Sequence, residues 1–184
     1  WPHSIQVSLE LRRGNTDAAA ELVRDLVDYR EVKERFGYMP FMWIRVGLAH
    51  GELAMVQGKF ERAVAEMDSL YVVLAAADIW YLRPDVLQLK GRALLAFGAT
   101  RGEEARQVLG EAEVAARRLG SRRTLWPILT DLATLAQQNG DAAAAAVLRD
   151  EAAKILAEIA AHIKQPNLRA AFIRRGRLST AGSD

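Results

Sequence analysis

The sequence predicts an all-α chain built from stacked helical hairpins, and three observations carry that expectation. A short motif, a turn followed five residues later by alanine, occurs four times: Gly14 to Ala19, Gly58 to Ala63, Thr100 to Ala105 and Gly140 to Ala145. Its alanines stand 44, 42 and 40 residues apart, and a near-fixed period of that size marks hairpins that stack in order. The five prolines, Pro2, Pro40, Pro84, Pro127 and Pro166, keep a similar spacing of 38, 44, 43 and 39 residues. Each is expected at or near the start of a hairpin, where a missing N–H costs nothing and a fixed φ suits the first helical turn. Between these marks the apolar residues recur at helical spacing. Only Ile5–Leu11 alternates like a half-buried strand, and no second such run exists to pair with it.

Taken in order, the first hairpin is expected over residues 2–36. Its first helix spans Pro2 to Arg13, with Ile5 and Leu9 inward and Val7 and Leu11 less well placed, and Gly14 ends it. Asn15 or Thr16 then caps a helix with the apolar face Ala19, Leu22, Val23, Leu26, Tyr29, Val32 and Phe36. The second hairpin covers residues 40–77: Pro40–Gln57, where Gly47 and Gly51 suggest close approach of another backbone, then Lys59–Ala77. The third covers 84–119, with helices Pro84–Phe97 and Gly102–Leu119. The stripe Ala105, Val108, Leu109, Ala112, Ala115, Ala116, Leu119 faces inward in the second of these. Glu113 and Arg117, four apart, add a favourable pair. The fourth covers 125–163, from Leu125–Gln138 into a helix capped by Asp141. A capping helix over 166–174 and a frayed polar tail over 177–184 close the chain, so residues 1–176 form the domain. Aromatic residues beside the prolines (Tyr38, Phe41, Trp43, Trp80, Tyr81 and Trp126) are expected to pack between successive hairpins.

Composition narrows the function classes. The 184 residues are 51% hydrophobic and 26% charged, enough for one core or one short solenoid. No cysteine is present, which removes disulfides and thiol chemistry and fits a reducing, cytoplasmic setting. Lys and Arg number 25 against 23 acids, a balance that disfavours a dedicated nucleic-acid surface. No apolar run approaches the roughly 20 residues that span a bilayer. A start at Trp1 without Met suggests a piece of a longer protein, whose Trp1 end would expose apolar surface suited to self-association.

The repeats resemble the tetratricopeptide family. The residues carrying the likeness are Gly51, Gly58, Phe60, Ala63, Met67 and Leu70 in the second repeat, and Ala93, Thr100, Gly102, Ala105, Leu109 and Ala112 in the third. The fourth gives Ala133, Gly140, Ala142, Ala145, Arg149 and Ala152, with Arg149 departing from the pattern, and in the first Val7 stands where a small residue belongs. The units are longer than the family's repeat of about 34 residues. Trp80–Leu87 and Pro166–Ile173 are similar to the C-terminal helical arrays of large bacterial signalling ATPases and transcription regulators. The resemblance implies a right-handed superhelix of about four antiparallel hairpins. It also implies a concave groove lined by Arg45, Leu48, Glu52 and Met55, by Leu87, Lys90, Leu94 and Phe97, and by Thr130, Thr134 and Gln137. Such a groove clamps a peptide or a partner domain.

Other constellations are poor in chemistry. His3, His50 and His162 lie in different hairpins without ligand spacing, so no metal is expected. Gly51 to Gly58-Lys59 fails as a phosphate loop, because Phe60 replaces Ser or Thr and a helix precedes it. Glu103, Glu104, Glu111 and Glu113 read as a solvated face and not an acid–base pair. The basic clusters Arg117-Arg118, Arg122-Arg123 and Arg174-Arg175-Gly176-Arg177 suit helix C-termini. The expected function is a non-catalytic, cofactor-free interaction and regulatory module. The competing expectation is a small-metabolite sensor, for which Trp43, Trp80 and Trp126 would matter.

Overall fold

The computed structural model describes residues 2–26 and 41–180. Nine α-helices form among them: α1 (Pro2–Arg13), α2 (Thr16–Arg24), α3 (Phe41–Val56), α4 (Phe60–Ala76), α5 (Arg83–Leu95), α6 (Gly102–Arg118), α7 (Arg122–Gln138), α8 (Ala142–Ala161) and α9 (Pro166–Thr180). A 3-10 turn, Gly98–Arg101, leads into α6, and no strand occurs among the described residues. The all-helical expectation therefore holds, including for Ile5–Leu11. The expected continuation of the second helix to Phe36, with Tyr38 and Pro40, lies outside the described residues, as do the side chains of Phe41 and Trp43.

The turns explain why the helices stop where they do. Gly14, Gly58, Gly120 and Gly140 all take positive φ. In each turn the next N–H reaches back to the same carbonyl position: Asn15 to Glu10, Lys59 to Ala54, Ser121 to Ala116 and Asp141 to Ala136, at 2.9 Å each. This is the Schellman closure, which satisfies carbonyls the helix leaves over. Asp78 does the same work after α4 with φ 53, the one non-glycine with positive φ among the described residues. At the other end of the helices, Asp141 accepts the Ala144 N–H at 2.9 Å, the expected cap of α8. Asn15 makes no such bond; its amide donates to Glu10 instead. Asp141→Ala is expected to lower stability by about 1 kcal/mol, read as a shift in the urea midpoint at unchanged slope.

Packing runs along the chain. Every pair of helices in extensive contact is adjacent in order or separated by one helix. The odd-numbered helices α1, α3, α5, α7 and α9 each touch the next odd one, whereas α4, α6 and α8 make no extensive contact with one another. The apolar core follows suit. Val7, Ala19, Ala49 and Leu53 join α1, α2 and α3. Ile44, Met67, Leu70, Val86 and Leu89 join α3, α4 and α5. A third cluster, including Leu94, Leu109, Ile128, Leu129 and Ile155, continues from α5 to α8. Each large side chain buried this way contributes roughly 1.5–3 kcal/mol.

Four pairs of positions twelve residues apart are buried in this core. Val7 and Ala19, Ala93 and Ala105, and Ala133 and Ala145 are each at most 1% exposed. Gly51, buried, stands opposite the fully buried Ala63. A Cβ on Gly51 would lie 2.6 Å from Met67 Cε and 2.9 Å from Leu89 Cδ2, so what crowds this glycine is side chains and not the second backbone expected there.

Several local expectations are corrected. In α1 the inward residue is Val7, while Ile5 and Leu9 are exposed, because Ser4, Val7 and Leu11 form the side turned to α2 and α3. The helix expected from Leu125 starts at Arg122, so Pro127 sits inside it and leaves one internal hydrogen bond unmade. Leu119 is exposed and not part of the inward stripe of α6. The capping helix runs on to Thr180, through residues expected to be a frayed tail. Gly176 allows this extension, since a Cβ there would come within 2.2 Å of Leu156 in α8.

Candidate functional site

The alternation of contacts leaves a cleft between α4 and α6, floored by α5. It holds two cavities, of about 520 Å³ and 260 Å³, with Glu111 on the wall of both. The smaller lies deeper, among Met67, Asp68, Tyr71, Lys90 and Val108. The larger opens beside the turn that ends α4 and is walled by Trp80, Arg83, Val114, Arg118 and Leu119.

Its polar groups are held from several sides. The Arg83 guanidinium lies 5.1 Å from the Tyr71 ring centre and 5.6 Å from that of Trp80. It also pairs with Glu111 at 3.6 Å. The Trp80 N–H donates to Asp78, so both the ring's N–H and its π system are engaged. Lys90 reaches Asp68 at 2.6 Å across the deeper cavity. Arg118 has no ion-pair partner among the described residues, and it leaves the larger cavity with one uncompensated positive charge.

The groove residues implied by the resemblance do not gather on one open surface. Leu48, Leu87, Leu94 and Thr130 are buried in the core. The Thr130 and Thr134 hydroxyls donate to carbonyls one turn back, of Trp126 and Thr130. Met55 packs on the core, and Phe97 meets Phe60 edge-on at 6.1 Å. Lys90 lines the smaller cavity of the α4–α6 cleft. Arg45 stays exposed; Glu52 is half-buried and accepts from Ser8 at 2.6 Å; Gln137 accepts from Arg149. The buried leucines belong to the packing between successive helices: Leu87 and Leu94 of α5 share a core cluster with Val108 and Leu109 of α6.

That close seam carries polar bridges that no sequence motif announces. Arg123 of α7 donates twice to Asp85 of α5, at 2.8 and 3.0 Å. Gln88 of α5 donates to Asp131 of α7 at 2.5 Å. Burial pushes the Asp131 carboxyl up to about 7, against the opposing pull of Arg92 and of the Gln88 bond. Three arginines of the basic clusters are likewise tied down: Arg117 to Glu113 and Glu151, Arg122 to Glu158 and Arg123 to Asp85. Trp126 packs against Phe172 as a junction aromatic, but Trp80 and Tyr81 are more than half exposed, contrary to the packing expected of them. Among the described residues no group of three potential metal ligands gathers, and no helix is long and apolar enough to cross a membrane. No protein-family model matches this chain, and no curated protein matches it.

Proposed function

We propose that this chain is a tetratricopeptide-like superhelical array of hairpins acting as a non-catalytic regulatory module that binds a peptide or partner domain. The observation that supports this reading is the recurrence of two buried positions twelve residues apart: Val7 and Ala19, Gly51 and Ala63, Ala93 and Ala105, Ala133 and Ala145. A unit that cannot hide its apolar side alone must be covered by the next, and arrays made that way present long surfaces to partners. On the odd-numbered helices Arg45 and Arg92 are exposed, Glu52 and Asp131 accept hydrogen bonds from Ser8 and Gln88, and Arg123 and Asp85 are paired with each other. That balance favours an acidic partner segment. Panning a displayed peptide library against the full chain tests the idea. Acidic peptides are expected, with affinity falling about tenfold in Arg45→Glu or Arg92→Glu. A library that enriches nothing, or peptides indifferent to both charge reversals, would sink it.

A second reading, a small-ligand sensor, is favoured by a separate observation: the 520 Å³ cavity beside Trp80. Its volume falls within the roughly 300–1,000 Å³ typical of small-molecule sites.

A further inference from the structure

Resting on that second reading, we infer that the larger cavity, between α6 and the turn that joins α4 to α5, is a binding site for a small, apolar, aromatic monoanion. Three independent features meet there. The first is Gly110. A glycine within a helix costs about 1 kcal/mol relative to alanine, and elsewhere in this fold the cost has a visible reason. A Cβ on Gly51, Gly91 or Gly176 would press against Met67, Leu109 or Leu156 at 2.2–2.6 Å. Gly110 has no heavy atom within 4 Å of its Cβ position, and it lines the cavity. Packing within the chain therefore does not account for a glycine there, and its position faces the open space of the cavity.

The second feature is Trp80. It is 52% exposed, yet it is not loose. Asp78, in its left-handed turn, holds the indole N–H, and Arg83 lies against the ring. With its polar atom already used, what the indole offers the cavity is carbon, a surface suited to an aromatic body. Val114 and Leu119, both exposed on α6, extend that apolar wall.

The third feature is charge. Arg83 is matched by Glu111, whereas Arg118, which also lines the cavity, has no ion-pair partner among the described residues. One spare guanidinium beside an apolar space selects a single negative group, carboxylate or sulfonate, on an otherwise apolar molecule.

Two dyes test this in the full chain. Anilinonaphthalene sulfonate is an aromatic monoanion, and phenylnaphthylamine is nearly the same body without the charge. The sulfonate is expected to bind saturably, one per chain, with fluorescence enhancement. Gly110→Leu, which fills the space without a clash, should weaken both dyes at least about tenfold while helicity and melting temperature hold or rise. Arg118→Gln should weaken the sulfonate about tenfold and leave phenylnaphthylamine unchanged. Val114→Trp, on the same wall, serves as a second blocking variant should Gly110→Leu lose helicity. Sulfonate binding undiminished by the blocking variants overturns the site. Two dyes that bind alike and ignore Arg118→Gln overturn the anion while the sensor reading survives. Binding of neither dye removes both.

Discussion

Gly91→Ala and Leu109→Ala should each destabilise the protein, and the two together should cost less than their sum. Leu109 of α6 has no exposed surface and stands in the cluster that joins α5 to α8. Its truncation is expected to cost about 2–5 kcal/mol, the range for a buried leucine whose cavity cannot collapse. Gly91 of α5 faces it, and a Cβ there would lie 2.4 Å from Leu109 Cδ2 and 2.5 Å from Cγ. Two effects then oppose each other. Helix propensity favours alanine by about 1 kcal/mol. Overpacking a filled core costs about 1–3 kcal/mol, and here it meets the leucine's branch point, which cannot swing aside as a methionine end can. The expected balance for Gly91→Ala alone is a net loss of about 1 kcal/mol. In the Leu109→Ala background the new methyl enters vacated space and its sign reverses. Urea unfolding of the four proteins measures the coupling, expected at about 1–3 kcal/mol. Additive losses would mean that α5 and α6 are not held together at this point.

The same contact shows what could be read in advance and what could not. Helix ends were legible because they are local: glycine in the left-handed conformation stops a helix wherever it stands, and Gly14, Gly58, Gly120 and Gly140 all do so. The paired small positions were legible because close helices need small residues at a fixed interval, and twelve residues is a property of one hairpin. The inward side of α1 was misread because Ile5 and Leu9 outweigh a lone valine on any scale of hydrophobicity. Only the neighbours α2 and α3 decide that Val7 is the contact. The groove was misplaced for a related reason: Leu87 and Leu94 are core residues of α5, and the side of α5 that meets α7 carries Asp85 and Gln88 instead. Gln88 and Asp131 stand 43 residues apart and look in sequence like two surface polar residues. The α4–α6 cavity had one trace in the sequence, Gly110 in the middle of a helix, and it becomes informative only when nothing is found against it.

The buried end of the seam gives the other large effect. Asp131 titrates near 7 in the folded protein instead of at its ordinary 3.8. The cause is burial between α5 and α7; Arg92 and the Gln88 amide offset it only in part. Between those two pH values the folded chain keeps a proton that the unfolded chain has lost. Stability from this group is therefore full below about pH 4, falls as pH rises toward about 7, and is flat beyond. Asp131→Asn removes the charge and keeps an oxygen for Gln88, so it should raise stability by about 1–3 kcal/mol at pH 8 and by almost nothing at pH 4. Gln88→Leu should act in the opposite direction at pH 8, since it strips the carboxylate of the one hydrogen bond given to it across the seam. Urea midpoints at the two pH values check both. A gain from Asp131→Asn that is equal at pH 4 and pH 8 would show that the carboxyl titrates alike in the folded and unfolded chains, and that burial does not raise it. A loss at pH 8 would show that the carboxylate, with Arg92 beside it, holds α5 to α7 as an ion and not in spite of being one.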